Sequence, residues 1–383
     1  MTGQSAAPHE PQLGSHLELA GRRIALVLAT STGGVGAHVR SLITPLVASG
    51  ADVHVLGPAA TETLFGFTGA GARFTAVEIA TGPDPVKDGR AALRLRRATS
   101  HADLVHAHGL RAGLVAVTAG LRRHVPTVVT LHNALLEPPG PRRRVLDAIE
   151  DRICRRADLV LGVSPDLVAR AMQAGARDAR MAPAAAPPLP APARPAAAVR
   201  EELGAVGRPL ILAVARLHEQ KGFDVLLPAA ARWAELDPMP LVVVAGEGPL
   251  EQSLRTQIAE LGAPVRLLGR RSDVADLLGA ADLVVLPSRW EGWPLAAQEA
   301  IRAGVPLVAA AVGGLPELVG QGGVLVRPGD VDALDAAVRR LLRDPEARQA
   351  VTAAAGRRAE TLPTEQDTVD QIASVYVELL GPP

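Results

Sequence analysis

"APAAAPPLPAPARPAAA", residues 182–198, divides the chain. Its prolines remove backbone donors and fix φ, so neither a helix nor a sheet is expected to run through it. The composition is that of an extended connection. Working outward on both sides, short apolar runs alternate with Ala/Arg/Leu stretches of helical period. Before it lie "RRIALVLA" (22–29), "DVHVLG" (52–57), "RFTAVEI" (73–79), "DLVHAH" (103–108), "PTVVTL" (126–131) and "DLVLGV" (158–163). After it come "PLILAVA" (209–215), "PLVVVAG" (240–246), "PVRLLG" (264–269), "DLVVLP" (282–287), "VPLVAA" (305–310) and "GVLVR" (323–327). Continuous apolar strands separated by helices read as parallel sheets covered on both faces. The fold class is therefore α/β, with two doubly wound Rossmann-like domains. The boundaries expected are a tail over 1–20, a first domain over 21–181, the linker over 182–198, a second domain over 199–362 and a last helix over 363–383.

The halves echo each other. "ADLV" at 102 recurs at 281, and "RHVPTVVT" from 123 is answered by "RAGVPLVAA" from 302. A third "ADLV", at 157, weakens the inference of a repeat. In doubly wound sheets ligands belong at the C-terminal ends of the strands. The sites are expected there, in a cleft between the domains.

A chain of 383 residues with 48% hydrophobic and 21% charged residues describes a globular protein with ample core. Net charge is zero, which points to no nucleic-acid partner. The first half carries a small basic excess and the second a matching acidic one, so the two domains are expected to meet different ligands. A single cysteine, Cys154, excludes an internal disulfide and a cysteine metal cluster. No run is long enough to span a membrane and no leader is evident, so a cytoplasmic protein is expected. Only two of the basic residues are lysines, Lys87 and Lys221, so a lysine stands out.

Four segments are candidates for chemistry. In "LATSTGGVGAHV" (28–39), Gly33, Gly34 and Gly36 open a helix after the first strand. Backbone amides there can approach a phosphate, although a ligand-free tight turn explains the glycines equally well. The spacing is not the dinucleotide fingerprint. In "AVARLHEQKGFDVLL" (213–227), Arg216 and Lys221 stand five apart in a strand-to-helix loop, a pairing that can neutralise a diphosphate. In "SRWEGWPLAAQEA" (288–300), Pro294 suits a first helical residue, Glu291 precedes the turn and Glu299 follows it. Were the whole span helical, about 12 Å would separate the two glutamate backbones. Glycosidase carboxyl pairs stand roughly 5–9.5 Å apart. Two anchors for different hydroxylated parts of one ligand fit better. "TLHN" (130–133) ends a strand and places His132 and Asn133 at a site edge, with His108 in "HAHG" beside them; His38 reads as helix packing. No metal site is expected, because "HAH" has no acidic partner nearby. The basic stretch 141–159 reads as a solvated helix, with weak peripheral contact to anionic lipid as the alternative.

Together "GGVGAHV", "TLHN", "ARLHEQKG", "VVAGEGP" and the Glu291–Glu299 segment resemble the retaining GT-B glycosyltransferases of the family 4 type. The resemblance covers nearly the whole chain. It implies that Gly34 lends its amide to the donor diphosphate with Gly33 shaping the turn, that Arg216 and Lys221 hold the phosphates, and that Glu299 binds ribose. It further implies that Glu291 holds the transferred sugar, with Gly292 and Leu295 bordering it. His132 would line the reacting carbon, Arg270 would lie near the base, and His108 and Asn133 would be on the acceptor side. No cofactor or metal is implied beyond a nucleoside-diphosphate sugar, uridine first and guanosine next. On this reading Lys221→Ala cuts turnover severely and leaves the fold intact. The rivals are a GT-B phosphorylase or hydrolase and an NAD(P)-linked oxidoreductase; the latter gives Arg216, Lys221 and the glutamates no role. With 2% aromatic residues, an extended glycan groove is not expected.

Overall fold

The computed structural model describes residues 19–31, 33–80, 82, 84–120 and 125–381. The expected tail therefore lies outside the described residues, except that Leu19 is already fully buried in core. The chain forms two compact units, 1–184 with 363–383, and 185–362.

The first unit holds seven parallel strands among the described residues: β1 (Arg23–Leu28), β2 (Asp52–Gly57), β3 (Arg73–Ala76), β4 (Leu104–His108), β5 (Thr127–Leu131), β6 (Leu159–Gly162) and β7 (Ala179–Met181). Their order is β3-β2-β1-β4-β5-β6-β7. Every residue of β4, β5 and β6 is buried, as the unbroken apolar runs require of a sheet covered on both faces. Strand β3 ends at Ala76, short of the expected 79, and only four residues pair. The closing helix Glu365–Leu380 belongs to this unit: Val369, Ile372, Ala373 and Tyr376 lie in the same core as Leu26, Val39 and Leu161. Thr364 and Asp367 cap it reciprocally, satisfying two otherwise orphan amides.

The second unit holds β8 (Leu210–Val214), β9 (Leu241–Ala245), β10 (Val265–Gly269), β11 (Leu283–Leu286), β12 (Leu307–Ala310) and β13 (Val324–Val326), in the order β10-β9-β8-β11-β12-β13. Both sheets reverse direction of winding beside their first strand, between β1 and β4 and between β8 and β11.

The repeated "ADLV" has a physical cause. Asp103 accepts from the Arg23 amide at 2.8 Å, Asp158 from Thr127 at 2.8 Å and Asp282 from Leu210 at 2.7 Å. Each aspartate satisfies the first backbone donor of the neighbouring strand, a group the ladder alone leaves open. Asp103 and Asp282 do so on equivalent strands, β4 and β11, so the echo across the halves marks equivalent positions. Asp158 repeats the device two strands further along the sheet, before β6.

The stretch expected as the linker, 182–198, carries no helix or strand before Ala196. The units divide at Ala184, and the segment beyond it is held by the second unit. The Ala186 amide donates to Gln298 Oε1 at 2.8 Å and Arg302 donates to the Ala186 carbonyl at 2.6 Å. Arg194 pairs with Glu202, Asp273 and Asp276, and a helix starts at Ala196. One arginine surrounded by three carboxylates ties the end of the segment to the second unit.

The basic helix is Pro141–Arg156, burying Leu146, Glu150, Ile153 and Cys154. Arg170 pairs with both Asp147 and Glu150 along it. No helix among the described residues is long and apolar enough to cross a membrane.

Candidate functional site

In the second unit three loops leave the C-terminal strand ends beside the reversal between β8 and β11. The first runs from β8 through Arg216 to Lys221 and Gly222. Gly222 has φ +69°, and a Cβ there would stand 1.9 Å from the Pro287 carbonyl oxygen, so only glycine lets this loop touch the one after β11. Around that contact the Arg289 amide donates to the Gln220 carbonyl at 2.8 Å, and Gln220 Nε2 donates to the Trp290 carbonyl at 2.9 Å. Gly313, after β12, approaches the Glu291 carbonyl as closely. The Gly314 amide donates to that carbonyl at 3.0 Å.

This clasp fixes Glu291. Its side chain is 7% exposed, and one carboxylate oxygen receives Lys221 Nζ at 2.6 Å and Ser288 Oγ at 2.7 Å. Sequence reasoning gave Lys221 and Glu291 to different parts of a ligand; the structure joins them. A carboxylate this far from water needs a counter-charge, and Lys221 is the cation within reach. Ser288 was missed, because a serine before Arg-Trp-Glu carries no signal of its own.

Pro294 is the residue before the helix Leu295–Arg302, not its first residue; its ψ of 131° is extended. Gly292 is buried and Leu295 partly so. Glu299 sits one turn into the helix. Burial pushes its carboxyl above the usual carboxylate range, and Arg302 offsets part of that. Arg216 and Arg270 are exposed, and neither guanidinium makes a hydrogen bond or ion pair among the described residues.

In the first unit the turn after β1 brings Gly33 and Gly34 to the start of the helix Gly34–Ala48, beside the reversal between β1 and β4. A Cβ on either glycine would meet nothing within 4 Å. Packing therefore does not demand glycine at these two places. Gly36 is different, since a Cβ there would collide with Phe65.

His108 ends β4 and His132 follows β5, and the His108 Nδ1 lies 3.2 Å from the His132 Nε2. His38, which sequence reasoning left to helix packing, stands edge-on to both rings, at 5.6 and 5.4 Å between centroids. Burial lowers all three imidazoles, His38 to about 4 and the other two well below the ordinary value. They are neutral at pH 7. Beneath them His106 is pinned between Tyr376 Oη and Thr130 Oγ1, each at 2.6 Å, which ties the closing helix to the strand that carries His108. Asn133 is exposed.

Residues 33–187 match the family described as glycosyl transferase 4-like domain, and residues 197–358 match glycosyl transferases group 1. The D-inositol 3-phosphate glycosyltransferase of Nocardiopsis dassonvillei is 34% identical over 311 residues, 74% of this chain and 72% of that protein. The glycogen synthase of Mycobacterium tuberculosis is 30% identical over 379 residues, 90% of this chain and 91% of that protein. Among solved structures, Anabaena HepE in complex with UDP superposes with a TM-score of 0.79 at 22% identity, covering 93% of this chain and all of that one. The same protein has also been solved with UDP-glucose. The fold is GT-B, and the oxidoreductase reading falls away. The chain belongs to the group 1 glycosyl transferases, with a glycosyl transferase 4-like first domain, and is a glycosyltransferase.

Proposed function

We propose that this enzyme moves a sugar, with retention at the anomeric carbon, from a nucleoside-diphosphate sugar to a hydroxylated acceptor, with no metal needed on the diphosphate. The observation that carries this reading is the Lys221–Glu291 pair, set beside the unpartnered Arg216 at the strand ends where the second sheet reverses. HepE, which binds UDP and UDP-glucose, supports a uridine nucleotide as the first donor to try, and guanosine comes next.

The chemistry follows from charge. Departure of the nucleoside diphosphate builds negative charge on the leaving oxygen, and Lys221 and Arg216 neutralise it. Glu291, already holding Lys221, accepts hydroxyls of the transferred sugar, while Glu299 accepts the ribose hydroxyls. Gly292 and Leu295 offer backbone amides, and Arg270 serves the base. From the first unit, Gly33 and Gly34 are the candidates for diphosphate contact and His132 for the reacting carbon. His108 and Asn133 are the candidates for the acceptor. The acceptor oxygen attacks the face the leaving group departs from, and a departing phosphate oxygen takes its proton.

The test is incubation with UDP-glucose, UDP-N-acetylglucosamine and GDP-mannose against inositol phosphates, glucans and simple sugar alcohols, with proton NMR of the product. Transfer with the donor's anomeric configuration is expected. An inverted product contradicts retention, and a requirement for inorganic phosphate as co-substrate would make the enzyme a phosphorylase.

A further inference from the structure

His38, His108 and His132 come from three separate elements of the first unit, the helix after β1 and the ends of β4 and β5. Each offers one ring nitrogen, and these atoms all lie within 4.8 Å of one another. The His108–His132 separation of 3.2 Å is close to the roughly 3.3 Å that two imidazoles keep on one tetrahedral zinc with bonds near 2.0–2.1 Å. A simple hydrogen bond accounts for that pair, but not for a third imidazole packed edge-on to both. His106, fixed by Thr130 and Tyr376, lies with its ring 4.1 Å from that of His108 and walls the cluster from below.

We propose that the first unit carries a three-histidine site for a divalent transition-metal ion of the zinc class, formed by His38, His108 and His132, with a fourth position left for water or an anion. An all-nitrogen set of borderline ligands favours zinc or cobalt and disfavours magnesium and calcium, which take oxygen. The group contains no carboxylate, so the ion keeps its charge and draws an anion to the open position. The site has no part in neutralising the leaving diphosphate. Its occupation would withdraw His132 from the sugar, and metal would then inhibit transfer.

The test uses the untagged full chain, stripped with EDTA, desalted, and titrated with Co2+ in the absence of any sugar nucleotide. The result is therefore independent of the donor. One equivalent is expected, with visible bands as intense as tetrahedral cobalt gives, displaced by Zn2+ and unaffected by Mg2+. His38→Asn and His132→Asn should each lose this complex, while His101→Asn, at an exposed position, keeps it. X-ray absorption on the zinc-loaded wild-type protein should show three imidazoles, and this decides the matter even if a variant fails to fold. No stoichiometric complex, a complex that survives both substitutions, or fewer than three imidazoles would overturn the assignment.

Discussion

Lys221 and Ser288 converge on one oxygen of Glu291, at 2.6 and 2.7 Å, although 70 residues separate the lysine from the glutamate. The pair holds two loops of the second unit together, and on the proposed reading it also meets the donor. Removing the lysine therefore does two kinds of damage.

Lys221→Ala should lower turnover by roughly 100-fold or more, the scale of losing one preorganised stabiliser of transition-state charge. It should also destabilise the fold by on the order of 3 kcal/mol, because a buried carboxylate is left without its cation. Sequence alone predicts the first effect and a spared fold; the ion pair adds the second. Adding Glu291→Gln should recover part of the stability and none of the turnover. Urea melts of both variants check this, and an unchanged midpoint for Lys221→Ala would show that the pair carries no structural weight.

Glu299 should couple nucleotide binding to protons. Burial raises its carboxyl above the ordinary range, and ribose hydroxyls donating to it favour the ionised form. Slightly above the ordinary carboxylate range, nucleoside-diphosphate binding should release a proton. Calorimetry in two buffers of different ionisation heat measures it. Glu299→Gln should abolish the release and weaken binding; release that persists in that variant would remove Glu299 from the ribose role.

The glycines separate packing from ligand approach. Gly222→Ala forces a Cβ to within 1.9 Å of a carbonyl oxygen at a φ of +69°, and should cost stability as well as activity. Gly34→Ala meets open space and should melt like the wild type, yet bind the donor about tenfold or more weakly where a phosphate needs the room. Unchanged donor affinity in Gly34→Ala would make the turn a mere connection.

Acid should destabilise the first unit through its histidines. The folded protein holds His38 near 4 and His106 near 3, with His108 and His132 also well depressed, whereas an unfolded histidine titrates near 6.5. The unfolded chain then binds protons that the folded one refuses. Stability is full above about pH 6.5 and declines as pH falls toward 4, by up to about 1.4 kcal/mol per pH unit for each such ring. Denaturation midpoints between pH 7.5 and 5 read this. A flat profile over that range would mean these rings charge freely in the folded state.

Much of this was legible in sequence. Twelve apolar runs located strands because a sheet buried on both faces leaves few polar positions, and "ADLV" repeated because each aspartate caps a neighbouring strand. Arg216, Lys221, Glu291 and Glu299 stood out as candidates in sequence, and the structure places them in the loops after β8 and β11 and in the helix that follows. What sequence could not show was pairing at a distance. The Lys221–Glu291 bond joins loops 70 residues apart, and Ser288 matters only because it reaches their shared oxygen. His38 looked like packing because helical period describes one element, while its meeting with His108 and His132 depends on how three elements are layered. The proline-rich stretch read correctly as free of helix and strand up to Ala196, but composition shows no trace of the carboxylates that collect around Arg194.

Lys221 and its neighbours are expected to bind a nucleoside diphosphate without metal. This binding is tested most directly by calorimetric titration of wild-type and Lys221→Ala protein with UDP, GDP and ADP, in EDTA and again with magnesium. Saturable binding of one of these to the wild type in EDTA is expected, little changed by magnesium and lost in the variant. Binding that appears only with magnesium, or that Lys221→Ala leaves intact, would contradict it.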